Sequence, residues 1–449
     1  METTNQNPPE QQPGFLQSTT AKIIMVGLLT LVLLIPLQLV KGLIFERAQR
    51  QKEVVNEINQ KWGESVYFYG PVLKVPYTIN TEAKLVDEAT KKITYSQTAR
   101  TEYAYFFPDE LNATANVTTE SRKRANYESV VYTAAMDFTG RYTKPDFSMQ
   151  SIPAENIDWQ KATLLVKTNN IKSIKGSVTI SFGGKKYTFK PSGTKDNDTI
   201  SALESQPIDL SSSFATGPVP FDLKINYNGS EKISIVPIGK MTQAKMASDW
   251  HSPSFGGNFL PEKSDVADNG FTANWKVSHF NRPFAQQHFG NLPNFSEYSY
   301  DVEFLIPVDQ YQQNERAAKY GFLVIGLTFL VFFLIQSVSK INIHIFQYSM
   351  IGLALIMFYT LLISITEHSS FTLAYIIAGA AVVVMIGLYS WSILKNIKFP
   401  LFVTTALSAL YIFIYVIIQL EDYALLVGSI GLFLILAAVM YFSRKIDWK

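Results

Sequence analysis

A chain of 449 residues with 39 Lys and Arg against 37 Asp and Glu carries a net charge of only +2, which offers no bulk attraction to a nucleic-acid polyanion. It has no cysteine, which excludes disulfides, a thiolate nucleophile and Cys metal ligands. The 17% of charged residues averages two unlike regions, because apolar runs crowd the two ends and residues 41–320 between them are mostly polar.

In chain order, residues 1–22 are rich in Gln, Pro, Thr and Asn and read as a disordered tail. Residues 23–40 form the first apolar run, bracketed by Lys22 and Lys41, and Pro36 predicts a kink in it. The sequence after it continues Lys41-Gly-Leu-Ile-Phe-Glu-Arg, with no small-x-small cleavage pattern, so an uncleaved anchor is expected. Ile44, Ala48, Val55, Ile58 and Trp62 then recur on one helical face, which predicts that the helix continues to the Gly63 region.

Between there and residue 300 the period changes to two. Ser65–Tyr69, Val72–Val75, Thr101–Phe106, Ser129–Thr133, Thr163–Thr168, Ser177–Phe182, Asp222–Tyr227, Lys232–Val236 and Tyr300–Ile306 read as strands. Gly183-Gly184 and Asn228-Gly229 are hairpin signals. An antiparallel sandwich or a barrel-like sheet is the expected architecture. Asp309-Gln-Tyr-Gln resembles a capping box, predicting a second helical stalk that runs through Tyr311 and Tyr320 into the membrane without a break.

Five further apolar runs follow at residues 321–338, 345–365, 371–394, 399–420 and 423–442. Each approaches the ~20 residues that cross a ~30 Å hydrocarbon core as a helix. None contains Asp, Glu, Lys or Arg. The fold class predicted is therefore a polytopic α-helical membrane protein of six transmembrane helices, with a large β-rich extracytoplasmic domain inserted between the first and second. Lys340, Lys395, Lys398, Arg444, Lys445 and Lys449 fall on one side and Glu367, Glu421 and Asp422 on the other. The positive-inside rule then places both termini in the cytoplasm and the domain outside. Lys41, Arg47, Arg50 and Lys52 run against that rule locally.

Signals for chemistry are sparse. The histidines are His251, His279, His288, His344 and His368, and no His-Glu-x-x-His or other i, i+4 pair occurs, so no metal or cofactor is expected. Nucleophile-elbow, phosphate-loop and dinucleotide fingerprints are missing. Neutral residues such as Tyr348, Tyr359, Thr404 and Tyr411 supply the polarity of the apolar runs, which argues for packing rather than ion transport. The basic run Arg122-Lys-Arg reads either as a solvated turn or as a contact for anionic groups. The segment Asp249-Trp-His-Ser-Pro-Ser-Phe-Gly-Gly-Asn reads as a loop packed on a sheet or as a contact surface.

Leu34-Ile-Pro-Leu with Ile44-Phe-Glu-Arg-Ala, Tyr69-Gly-Pro-Val-Leu-Lys-Val-Pro-Tyr and Glu110-Leu-Asn-Ala-Thr-Ala-Asn-Val form a distinctive set. It continues through Phe271-Thr-Ala-Asn-Trp-Lys-Val-Ser-His-Phe-Asn-Arg, Ile306-Pro-Val-Asp-Gln-Tyr and the closing Ser443-Arg-Lys-Ile-Asp-Trp. In these segments the chain resembles the CreD family of inner-membrane proteins. The resemblance implies the bacterial inner membrane and a role in envelope integrity and stress response, without a settled biochemical activity. The function expected is accordingly non-catalytic: the periplasmic domain binds an envelope component or a membrane-protein partner, and the helices meet membrane lipids. Trp250, His251, Trp275, His279, Asn281 and Arg282 are the candidate binding residues, and no catalytic residue is assigned. The alternative is an envelope hydrolase or lipid-modifying enzyme with a site near His251, His279 and Asn281.

Overall fold

The first apolar run lies in one 44-residue helix, α1 (Thr19–Trp62), which continues through Pro36. The computed structural model describes residues 19–86, 93–192, 201–304, 306, 310–339, 341–394, 397–420 and 423–444. The chain divides into a helical unit, Met1–Glu53 with Val308–Lys449, and a β unit, Val54–Pro307. Helix α1 contributes residues to both. Within the β unit its last turns bury Val54 and Asn59, beside the half-buried Val55, Ile58 and Trp62 of the expected face. The Trp62 indole N–H donates to the Tyr132 carbonyl at 3.2 Å, and the Arg122 guanidinium lies 4.4 Å from the Trp62 ring centre. Arg122 also bonds Glu120, Lys123 pairs with Glu128, and Arg124 with Glu57. The basic run at residues 122–124 is thus engaged inside its own unit.

The strands are β1 (Val66–Val86), β2 (Ile93–Phe106), β3 (Glu110–Arg124), β4 (Tyr127–Tyr142), β5 (Thr163–Thr168), β6 (Ile174–Phe182), β7 (Lys185–Ser192) and β8 (Ser201–Ser205). After them come β9 (Val219–Ser230), β10 (Lys232–Ile235), β11 (Met241–Ser248), β12 (Pro253–Gly257), β13 (Lys263–Ala267), β14 (Gly270–Ser278), β15 (Gln287–Phe289) and β16 (Tyr300–Phe304). They form one hydrogen-bonded system in the order β12-β16-β10-β1-β5-β8-β7-β6-β9-β4-β3-β11-β14-β13, with β2 and β15 branching from β1. Strand β7 pairs with β8 on one side and β6 on the other, so the ladder turns over on itself without a gap. Of the two arrangements expected, this continuity favours the nearly closed, barrel-like one. The inward faces meet in an aromatic core: Phe68 stacks on Phe138 with ring centres 4.3 Å apart, and Trp275 on Tyr300 at 4.8 Å.

Two expectations need correction here. The sheet is not wholly antiparallel, since β1 runs parallel to β10 and β3 parallel to β11. Asn228-Gly229 is not a hairpin turn but lies inside β9, opposite Tyr132 and Thr133. Glycine is required at 229 because a Cβ there would stand 2.4 Å from the Tyr132 ring. The chain turns instead at Glu231, at φ 61°, between β9 and β10. The Gly183-Gly184 turn does join β6 to β7.

In the helical unit, α2 (Gln310–Lys319), α3 (Gly321–Ser339), α4 (Ile345–Thr366), α5 (Phe371–Ile393), α6 (Lys398–Gln419) and α7 (Ala424–Ser443) follow. Among the described residues six helices are long and apolar enough to cross a membrane, α1 and α3 to α7. The uninterrupted second stalk is corrected by a break at Tyr320. Its N–H donates to Ala317 O at 3.2 Å, closing α2, while its own carbonyl accepts from Leu323 and Val324 and opens α3. Helix α2 packs on α4, α5 and α6, burying Tyr311, Gln313, Asn314, Ala317 and Ala318. Asp309, the expected cap, lies outside the described residues. Arg47 on α1 pairs with Glu367 after α4 at 3.4 Å, so the locally discordant basic residue meets an acidic loop within its own unit.

Candidate functional site

The six candidate residues separate along β11 and β14, which pair from Met241 opposite Ser278 to Ser248 opposite Phe271. Trp250 and His251 follow the end of β11, while His279, Asn281 and Arg282 follow the end of β14, back at the start of β11. Seven steps along β11 put these ends about 24 Å apart. Histidines 251 and 279 therefore do not converge in one cleft. Trp275 lies between them on the inner face, buried, with its indole N–H donating to Phe259 O at 3.1 Å. Trp250 is half-buried and donates to Ser252 O at 2.9 Å, so the packed-loop description fits it; His251 beside it is exposed.

The segment after β14 is built more tightly. Ser278 Oγ accepts from Phe280 N at 3.4 Å, and Asn281 Oδ1 accepts from Ser278 N at 3.1 Å, a reciprocal cap that fixes a single 3-10 turn over His279–Asn281. His279 N also donates to Lys240 O at 2.8 Å. This turn presents Phe280, 86% exposed, with the His279 ring 3.9 Å from it, centre to centre.

Arg282 then turns inward and is buried. Its Nη1 donates to Phe284 O at 3.1 Å and its Nη2 to Ile238 O at 3.0 Å, with Gly239 O and the Gln286 side chain also in reach. The guanidinium lies 4.1 Å from the Phe284 ring centre and 5.7 Å from that of Phe107. Burial pulls its pKa down to about 10, which leaves it charged at neutral pH. Neutral oxygens and ring faces thus hold the cation. Gln286 Nε2 extends the network to Pro108 O at 2.9 Å, and β15 beyond it pairs with β2.

His288 on β15 packs against Phe107 and Phe295. Burial holds its pKa below the usual histidine value against a backbone hydrogen bond at Ala285, and the Arg282 charge adds to the lowering. The Nε2 of His288 and the Nε of Arg282 are buried without hydrogen-bond partners. Sequence reasoning named Arg282 but missed Gln286 and His288. The one available signal was an arginine set among Phe280, Phe284, Phe289 and Phe295. The arrangement places an exposed aromatic side chain on a capped, hydrogen-bonded turn. Among the described residues no group of three or more His, Asp or Glu could hold a metal ion.

The six membrane-length helices among the described residues and the inserted β unit define a polytopic membrane protein with a large β-rich domain. Residues 18–449 match the family model described as inner membrane protein CreD. The chain is 30% identical over 429 residues to the inner membrane protein CreD of Escherichia coli (strain K12), covering 93% of this chain and 91% of that protein. It belongs to the CreD family of inner membrane proteins.

Proposed function

We propose that the protein acts non-catalytically in the cell envelope, its β unit lying in the periplasm with both termini in the cytoplasm, and that it supports envelope integrity under stress by binding a membrane-protein partner or another envelope component. The observation that carries this reading is Phe280, a large exposed aromatic on a doubly capped turn anchored by the buried Arg282. Aromatic side chains on rigid bases are favoured anchors of interfaces, because little freedom is lost on docking. His279 and Asn281 form the rest of that turn, and His251 with Trp250 offers a second contact at the far end of β11. Helix α1, shared by both units, is the element through which binding is communicated to the membrane helices.

A photocrosslinker at Phe280, with one at His251 as a comparison, tests this in intact membranes. Capture of one defined protein or glycan from position 280, lost in the His279→Ala and Asn281→Ala double variant, is expected. No specific capture from either position removes the reading. Orientation has its own check in this cysteine-free chain: Ser369→Cys should react with an impermeant maleimide from the periplasmic side, and Asn396→Cys should not. Communication through α1 predicts that Ala48→Pro, which costs about 3 kcal/mol of helix stability, abolishes function while capture at position 280 persists.

A further inference from the structure

The helical unit contains a cavity of about 390 Å3 between α3, α6 and α7. Among the described residues Thr328 supplies the only hydroxyl in its wall, and that hydroxyl is buried without a partner among them. Thr404 and Thr405 on α6, by contrast, return theirs to carbonyls four residues back. Such a wall cannot compensate a polar or charged solute for lost hydration. The space suits hydrocarbon.

Its shape narrows the choice further. A Cβ at Gly431 would stand 2.1 Å from the Phe413 ring, and one at Gly428 would stand 3.8 Å from Ile417. These two contacts fix α6 and α7 as antiparallel, so the start of α6 and the end of α7 share one end of the bundle. From Phe413 the lining extends to Val403 on α6 and Val439 on α7. Ten helical residues make a slot about 15 Å long. A slot of that length suits a single extended hydrocarbon chain.

Both walls carry a cation beyond the same end. Lys398 precedes Val403 by five residues and Arg444 follows Val439 by five, about 7.5 Å of helix in each case. Both side chains are exposed, and the Arg444 guanidinium lies 4.6 Å from the Tyr441 ring centre. An apolar slot that runs towards two exposed cations has the two-part chemistry of an anionic phospholipid. We propose that the cavity holds one acyl chain of such a lipid, with its phosphate at Lys398 and Arg444. This inference is independent of what the β unit binds.

The test uses the full chain, purified in mild detergent and offered phosphatidylglycerol or phosphatidylcholine with identical acyl chains, with retained lipid counted by native mass spectrometry. The wild type should retain one phosphatidylglycerol at least tenfold in preference. Ala406→Trp, which fills the slot, should retain neither lipid. Lys398→Gln combined with Arg444→Gln should keep the chain and lose the preference. Ala409→Phe, on the same wall, replaces Ala406→Trp if that variant is not monodisperse. Equal retention of both lipids by wild type, or undiminished retention by the filled variant, overturns the proposal. So does a dimer that the filling substitution abolishes, because the slot would then belong to a second copy.

Discussion

Phe138 and Leu425 are both large and apolar, yet one is 1% exposed and the other 87% exposed. The β unit turns such side chains inward on one face of most strands and leaves polar groups outside; β9 alternates buried and exposed residues from Val219 to Tyr227. The helical unit turns many of them outward, and the 18-residue apolar window of α7 buries none of its residues. The difference lies in the solvent, since a helix surrounded by hydrocarbon gains nothing by hiding a leucine. Polar groups follow the same division. In the helices Thr30, Ser349, Thr366 and Ser408 satisfy their hydroxyls on carbonyls four residues back. In the β unit they join segments distant in sequence, as when Asn59, near the end of α1, joins Ser129 to Glu231. Exposure therefore has opposite energetic meaning in the two units.

The comparison is most severely strained by a side chain at Gly229. Gly229→Val drives atoms into the Tyr132 ring, and the β unit should fail to fold; four of the six tryptophans lie in that unit, so the full chain should lose its urea-dependent fluorescence transition. Phe138→Ala opens a void beside Phe68 and should cost about 3–5 kcal/mol, read from the same transition. Glu204 gives a smaller, pH-dependent effect. Burial would raise its pKa, but hydrogen bonds from Lys74, Thr163 and Ser192, with the Lys74 charge, hold it below the usual glutamate value. A folded-state pKa below the unfolded one contributes stability that is fully present above about pH 4.3 and is lost as pH falls through the folded value. The stability gap between wild type and Glu204→Gln should therefore narrow on acidification below pH ~4. Smallest of all, Leu425→Ala at the lipid face should change helical stability by less than about 0.5 kcal/mol in an SDS titration. A loss comparable to that of Phe138→Ala would break the comparison.

These two logics also decided what could be read from the sequence. Uncharged apolar runs are hard to mistake, and the nine expected segments with β-branched and aromatic residues all overlap observed strands, although Ser65–Tyr69 and Val72–Val75 belong to the single strand β1. The end of the sheet built from β3, β11, β14 and β13 was harder to read. Strand β3 alternates cleanly, but two of its buried positions are Ala113 and Ala115, which carry little β signal, and β13 has no buried residue at all. Asn228-Gly229 misled because the same dipeptide that favours a turn also admits a tyrosine ring against a strand. Arg282 was legible as a residue but not as an anchor. Its partners are the carbonyls of Ile238, Gly239 and Phe284, and a backbone oxygen leaves no mark on composition.

The parallel pairing of β1 with β10 also bears on how the chain is made. Val66 finds Ile233 only after 167 further residues have been added. At synthesis rates of about 5–20 residues per second, that edge of β1 stays unmatched for roughly 8 to 33 seconds. An apolar strand left open so long is a template for wrong pairing. Strand β2, which follows at once and pairs with β1 from Leu73 to Val86, can cover much of its length early. The stretch from Val66 to Phe68 waits for β10, and there the nascent chain has most need of protection.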